Sequence, residues 1–105
     1  MNPILKINLQ YKLFQLDDEM KNCLENIEEE TLNIQNSYWE ENIMNEDPLK
    51  IDKETLNIFD YYFLRYQLCY YYKEFEKPSS FSRTNRETIL NWIVVLSNYI
   101  IFYQK

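Results

Sequence analysis

The chain of 105 residues contains no glycine. Glycine lacks a Cβ atom, so it is the residue that permits a left-handed backbone and a close approach between backbone and ligand. Phosphate-binding P-loops, dinucleotide-binding turns and the nucleophile elbow of α/β-hydrolases all need glycine at fixed positions. The sequence therefore excludes these three kinds of site.

Histidine is also absent, which excludes Ser–His and Cys–His catalytic pairs, histidine-ligated zinc and the Glu-x-x-His motif of di-iron proteins. The acidic clusters do not match an EF-hand calcium loop, which needs a glycine for its sharp turn. Two carboxylates on different helices that converge as acid and base are the remaining catalytic alternative. We predict a protein that is not an enzyme and that binds neither a metal nor a cofactor.

The composition indicates one domain and an origin in AT-rich DNA. Hydrophobic residues make up 46% of the chain, which is enough for a core in a domain of this length. Alanine is absent as well as glycine, whereas Asn, Ile, Lys, Tyr and Phe, whose codons are AT-rich, are abundant. We expect a single domain over residues 1–105, encoded by a low-GC genome, a phage or a horizontally acquired island.

The two cysteines, Cys23 and Cys69, fall among apolar helical positions. Small secreted domains typically carry more cysteines, joined in disulfides. The N-terminal residues lack the basic and apolar regions of a signal peptide. We therefore predict reduced, buried thiols in a cytoplasmic protein.

Charge divides the chain into an acidic segment and a nearly neutral remainder. Residues 17–47 contain eleven acidic residues and one lysine, a net charge of −10 within a total of −6. Residues 1–16 carry +2, residues 48–76 carry −1 and residues 77–105 carry +3. Any proposed partner must therefore have a surface that is complementary in charge to this acidic segment.

Residues 1–16 alternate between apolar and polar side chains from Leu5 to Leu13. A period of two residues is typical of a half-buried β-strand, so we predict an extended arm or strand. A single strand leaves its backbone groups unpaired. Its expected partner is residues 92–96 or 99–103, or a strand of another protomer.

Residues 17–105 are predicted to form a helical body. The first helix, at about residues 17–45, has an apolar stripe spaced by three and four positions, and Pro48 follows its end. The stripe consists of Met20, Leu24, Ile27, Thr31, Ile34 and Tyr38. The second helix, residues 52–76, begins at the N-cap Asp52. It is apolar around most of its circumference, so we expect it to be central in the fold.

The third helix is predicted over residues 85–103, with Thr84 and Glu87 forming a capping box at its start. Its β-branched residues also allow a hairpin of strands 92–96 and 99–103. The predicted fold class is mainly α, a small bundle of three helices with an extended N-terminal arm. The alternative is an α+β fold in which the arm pairs with C-terminal strands.

One face of the first helix is acidic, and it is the strongest candidate for a binding surface. Like charges four residues apart, such as those of Glu25 and Glu29, destabilise a helix. Such a surface is complementary to a basic protein and accelerates association by electrostatic steering. The candidate partner-binding residues on or beside this face are Asp18, Glu25, Glu28, Glu29, Glu40 and Glu41. The alternative is that the acidic face serves only solubility.

The second candidate feature is the set of ten tyrosines, which includes the run at residues 70–72. Tyrosine is enriched at protein interfaces, and consecutive helical residues cannot all face one core, so Tyr70 and Tyr71 join the candidate binding residues. The acidity disfavours nucleic acid, because phosphate would be repelled. The apolar run at residues 89–103 is shorter than a membrane span. We predict a protein partner, with no nucleic acid and no membrane.

In size, acidity, composition and lack of catalytic motifs, the chain resembles bacterial immunity proteins that neutralise nuclease toxins. It is also similar to phage anti-defence proteins, such as anti-CRISPR proteins. The resemblance is one of class and rests on no residue motif. It implies an inhibitor that occludes a basic target, a toxin nuclease or a defence effector, by pairing its carboxylates with Lys and Arg. The alternative is a non-catalytic structural or assembly subunit, such as a homodimer, with the aromatic second helix as its interface.

Overall fold

The computed structural model describes residues 15–77 and 85–103, which are mostly helical. Within these residues the predicted mainly α class is confirmed, and no β-strand is present. In chain order the elements are α1 (Leu16–Glu25), α2 (Glu29–Asn42), a 3₁₀-helix (Pro48–Lys50), α3 (Lys53–Leu56), α4 (Tyr61–Glu76) and α5 (Arg86–Tyr103). Two of the three predicted helices are therefore each divided in two.

The predicted arm over residues 1–16 lies outside the described residues except at its end, where Leu16 already begins α1. The strands proposed as its partners, residues 92–96 and 99–103, both belong to α5, so the hairpin alternative is wrong. Burial explains why β-branched residues are helical here: Ile89 and Ile93 are completely buried, and packing of this kind overrides a weak intrinsic propensity.

The first predicted helix is interrupted at residues 26–28. The Asn26 side-chain amide donates a hydrogen bond to the backbone carbonyl of Asn22 at 2.8 Å, and such local bonds compete with helix propagation. Glu28 is extended, with φ −62° and ψ 141°, and its carbonyl accepts the first bond of α2 from Leu32 N–H at 2.9 Å. The interruption changes the rotational phase of α2 relative to α1, so that different positions of the helical pattern face the core.

The second predicted helix is interrupted at residues 57–60. Asp60 is extended, and its side chain accepts a hydrogen bond from Tyr62 N–H at 2.8 Å, so it caps the start of α4. The Asp60 backbone N–H donates to the Gln35 side-chain oxygen at 2.9 Å. A side chain of α2 thus satisfies a backbone donor that the interruption leaves outside any helix.

Short polar side chains also cap α3 and α5. Asp52 accepts hydrogen bonds from the hydroxyl and the backbone N–H of Thr55, at 2.8 and 2.9 Å, which confirms it as an N-cap. These bonds lower the pKa of the Asp52 carboxyl. Asn85 accepts from the backbone N–H of Glu87 at 2.8 Å and caps α5, whereas Thr84, the predicted cap, lies outside the described residues.

Helix α4 lies between α1 and α5 and packs closely against both. Phe63 and Leu64 of α4 are completely buried, as are Trp92 and Leu96 of α5. Such a position is what a helix with apolar side chains on most of its circumference requires. The core is therefore centred on the contact between α4 and α5.

Helix α2 joins this core through one large side chain, Trp39, which is 1% exposed. Its ring meets Phe59 and Phe63 edge-on, with centroids 5.2 and 5.8 Å apart, and lies 5.1 Å from the ring of Trp92. Edge-to-face aromatic pairs add to the stabilisation that burial alone provides. Trp39 therefore connects the acidic helix to the start of α4 and to α5.

The rotational phase of α2 differs from the predicted apolar stripe. The inner face carries Leu32, Gln35, Trp39 and Ile43, whereas Ile34 is 61% exposed and Tyr38 is 43% exposed. In α1 the predicted stripe is only partly buried: Met20 is half-buried and Leu24 is 39% exposed. The stripe spanned two helices that the interruption at residues 26–28 places out of phase.

Replacing Trp39 with alanine is expected to lower the free energy of unfolding by about 3–5 kcal/mol, the usual loss for a large buried aromatic side chain. Trp39→Phe, which keeps part of the ring contacts, should lose less. Urea unfolding followed by circular dichroism measures both values. Ile34→Ala on the exposed side of the same helix is the control, and an equal loss there would contradict the anchoring role of Trp39.

Candidate partner-binding surface

The six acidic residues predicted as partner-binding are all exposed. Asp18 and Glu25 belong to α1, and Glu28 precedes α2. Glu29 lies in the first turn of α2, and Glu40 and Glu41 lie in its last turn. The acids thus occupy two separate helices and not one continuous face.

The two predicted tyrosines lie mainly inside the protein. Tyr71 is 2% exposed, and its ring stacks on Trp92 with centroids 5.8 Å apart. Tyr70 is half-buried and meets the Tyr71 ring edge-on at 5.3 Å. Tyr71 is a core residue of this fold and does not contribute to its surface.

The outward side of α2 carries an exposed group of mixed chemistry, which we call the α2 ridge: Glu30, Ile34, Tyr38 and Glu41. These residues are spaced by four, four and three positions, so they share one face of the helix. Asn33 and Ser37 lie beside Ile34 and Tyr38 in a shallow depression. Two apolar side chains flanked by two carboxylates form a small surface with an apolar centre and a charged rim, which is the usual anatomy of a protein interface.

Glu30 is not among the binding residues predicted from the sequence, although it is exposed. The predicted apolar stripe wrongly buries Ile34 and Tyr38, because it runs without a break through the interruption before α2. The available signal was Trp39 and Ile43, which are four residues apart. Their pairing with Leu32 indicates a different inner face.

Three carboxylates lie in the last turn of a helix that has no basic residue in that turn, where their charge is unfavourable. Glu25 is in the last turn of α1, Glu40 and Glu41 are in the last turn of α2, and neither turn has a basic residue. The C-terminal end of a helix carries a partial negative charge, so a carboxylate there is destabilising. We call Glu25, Glu40 and Glu41 the helix-end carboxylates.

The acids of α1 that face α4 are neutralised. Lys73 of α4 forms an ion pair with Asp17, with the Nζ and Oδ1 atoms 2.6 Å apart, and Arg65 pairs with Glu19. Among the ion pairs of the described residues, none involves the helix-end carboxylates or Glu30. The outward acids therefore retain their negative charge for an external partner.

A second concave feature is a cavity of about 280 Å³ between α1, α4 and α5. Arg65 and Glu19 lie on its lining together with apolar residues. Burial alone would lower the pKa of the Arg65 guanidinium, but the Glu19 carboxylate and the Tyr61 side chain hold it above its usual value. The Arg65 charge is therefore permanent and already compensated.

Within residues 15–77 and 85–103, no three acidic or cysteine side chains are grouped so as to hold a metal ion. In the same part of the chain, no helix has both the length and the apolar character to cross a membrane. Comparison of the chain with known protein families, with characterised proteins and with solved structures gives no significant match. The α2 ridge and the helix-end carboxylates are thus identified by their physical chemistry alone.

Replacing Glu40 and Glu41 together with glutamine is expected to raise the free energy of unfolding by about 0.5–1 kcal/mol, because two charges leave the negative end of α2. Replacing Glu29 and Glu30 with glutamine removes charges from the positive end, and we expect a loss of similar size. Urea unfolding at low ionic strength measures both changes. A shift in the same direction for both pairs would contradict this electrostatic asymmetry.

Burial raises the pKa of the Tyr71 hydroxyl to about 12 from its ordinary value of 10, against a small opposing effect of Trp39. Between these two values the folded state holds a proton that the unfolded state has released, so stability falls as pH rises. The contribution of Tyr71 should be complete below pH 10 and lost progressively towards pH 12. The contribution of Tyr71 is the difference between wild type and Tyr71→Phe in the free energy of urea unfolding, measured from pH 10 to pH 12. If this free energy changes with pH equally in both proteins, the raised pKa of Tyr71 is contradicted.

Proposed function

We propose that this protein is a small acidic inhibitor that binds a basic protein and covers its working surface. The target class is a toxin nuclease neutralised by an immunity protein, or a defence effector blocked by a phage anti-defence protein. In this role the protein acts in the cytoplasm, has no catalytic activity of its own, and uses the α2 ridge with Glu40 and the other helix-end carboxylates as its contact surface.

The observation that carries this proposal is the position of the helix-end carboxylates. Glu40 and Glu41 reduce the stability of α2, no ion pair within the described residues compensates them, and neutral residues would serve the fold better. Local choices that oppose stability are expected at functional sites. A carboxylate that serves only solubility would destabilise α2 less if it were in the first turn of the helix or beside a lysine.

The mechanism follows from the chemistry of the α2 ridge. Ile34 and Tyr38 supply a desolvated apolar centre, where most of the binding energy of an interface concentrates. Glu30 and Glu41 flank this centre, and Glu40 lies farther round the helix, on the side away from Tyr38. These carboxylates pair with Lys or Arg side chains that would otherwise hold phosphate. The remaining negative charge of residues 17–47 accelerates the encounter, so the association rate should fall as salt increases.

The alternative function, a structural subunit that uses the aromatic second helix as its interface, has less support. Tyr71 and Tyr72 are buried within the single chain. Tyr61, Tyr62 and Tyr70 are half-buried and contact neighbouring rings. The buried pair therefore leaves only the half-buried rings of α4 for an oligomer contact.

The proposed function is tested by affinity capture from the native host, or from the host of its phage, at low and at high ionic strength. We expect the wild-type chain to capture one basic nuclease or effector, more weakly at high salt. We expect the Glu40→Lys/Glu41→Lys variant to lose this capture. The same variant should be at least as stable as the wild type, because the new charges suit the C-terminal end of α2, so the loss cannot be ascribed to unfolding.

The control is Glu76→Lys, which changes an exposed carboxylate at the C-terminal end of α4 and is compared with the single variant Glu41→Lys, so that the net charge changes equally. It should retain capture and show only the small loss that a change in net charge produces. If Glu76→Lys and Glu41→Lys lose capture of the partner equally, the acids act only through the net charge of the protein. Capture of the protein only by itself, insensitive to salt and to all variants, would refute the inhibitor and favour the structural subunit.

A further inference from the structure

The cavity between α1, α4 and α5 is lined by both buried and exposed residues. Ser97 and Tyr72 are among the buried ones, 5% and 3% exposed. The aliphatic side chains among its lining residues are Leu16, Leu68, Ile100 and Ile101. None of the lining residues belongs to α2, so this cavity is a different feature from the α2 ridge.

The Ser97 hydroxyl has no hydrogen-bond partner among the described residues, although its Oγ atom is buried. A serine inside a helix usually directs its hydroxyl to the carbonyl oxygen of the preceding turn or to solvent. A buried hydroxyl without a partner is destabilising, and such groups are rare enough to need a specific explanation. The adjoining cavity supplies room for a partner, which the Ser97 hydroxyl reaches by rotation about its Cα–Cβ bond, because the Oγ atom has almost no accessible surface in its present position.

The charged residues of the cavity do not favour an ionic ligand. Arg65 is already paired with Glu19, and the Arg65 guanidinium lies 5.5 Å from the ring centre of Tyr61. The pair carries no net charge. An ion that entered between aliphatic walls would lose its hydration without gaining an unpaired counter-charge.

We propose that this cavity binds a small neutral molecule with an aromatic or aliphatic body and one hydrogen-bonding group, which pairs with the Ser97 hydroxyl. Apolar pockets with a few polar groups are the usual form of small-molecule sites. A dry cavity of about 150 Å³ holds a benzene-sized molecule, so a cavity of about 280 Å³ accommodates a bicyclic one.

Indole and indene are the probes that test this inference. They have nearly the same shape and apolar area, but only indole has an N–H group that can donate to Ser97 Oγ. Isothermal titration of the full chain should show saturable binding of indole, about fivefold tighter than indene, which is the factor expected from one net hydrogen bond. Amide chemical shifts should change at residues around Ser97 and Leu68.

Three variants separate the possible outcomes. Ser97→Ala should keep the fold, bind both probes and lose the preference for indole. Ile100→Trp should fill the cavity and abolish binding of both probes. Leu49→Trp, at a position that is 64% exposed and outside the cavity lining, is the control and should bind as the wild type does.

The inference is overturned if neither probe binds saturably to the wild type, or if indole and indene bind equally. It is also overturned if Ser97→Ala retains the preference for indole. Circular dichroism and thermal unfolding of each variant confirm that the fold is intact. Ser97→Ala is expected to unfold at the same temperature as the wild type or higher, because it removes an unpaired buried hydroxyl.

Discussion

The burial of Trp39 is the interaction on which the arrangement of this protein depends. Helices approach one another according to the size of the side chains between them, and this chain has neither glycine nor alanine to shorten that distance. Helix α2 is therefore held against the core by a long aromatic side chain that reaches Phe59, Phe63 and Trp92. Gln35 strengthens the attachment through its bond to the backbone of Asp60.

This mode of attachment determines what α2 presents to its surroundings. With Trp39 turned inward, Ile34 is exposed on the outward side of the helix, and Tyr38 lies at the edge of that side, where its ring also meets Phe59. The acids of α1 nearest to α4 are neutralised by Arg65 and Lys73. The acidic segment thus contains carboxylates of α1 that pair with α4, and the helix-end carboxylates, whose charge works against the stability of their own helix. A trade of stability for function is common in natural proteins.

Much of the helical content was predictable from the sequence, because the periodicity and the capping residues are local signals. Asp52 as a cap and the span of α5 follow from such signals. The interruptions of the other helices were not predictable in the same way. The interruption before α4 is completed by Gln35, which is 25 positions away from Asp60, and a pattern within one helix carries no information about such a bond.

In the candidate surface, too, some residues were predictable from local sequence signals and others depend on tertiary contacts. The exposed acids were found because charge density is read directly from composition. Ile34 and Tyr38 were missed because a shift of one or two residues in helical phase exchanges the inner and outer faces. Tyr71 was assigned to the surface by its position in a run of tyrosines, but its stacking on Trp92 is a tertiary contact that adjacent residues do not reveal.

The close approach of the two indole rings has an optical consequence. Trp39 and Trp92 are the only tryptophans of the chain, and their rings lie 5.1 Å apart with their planes inclined by 48°. At this separation and inclination we expect the electronic transitions of the two rings to couple and to give a paired positive and negative band in the ultraviolet circular dichroism of the native protein. Each ring belongs to a different helix, so the paired band exists only while α2 is seated on α5. The intensity of this paired band would therefore report whether Trp39, and with it α2, is packed against Trp92.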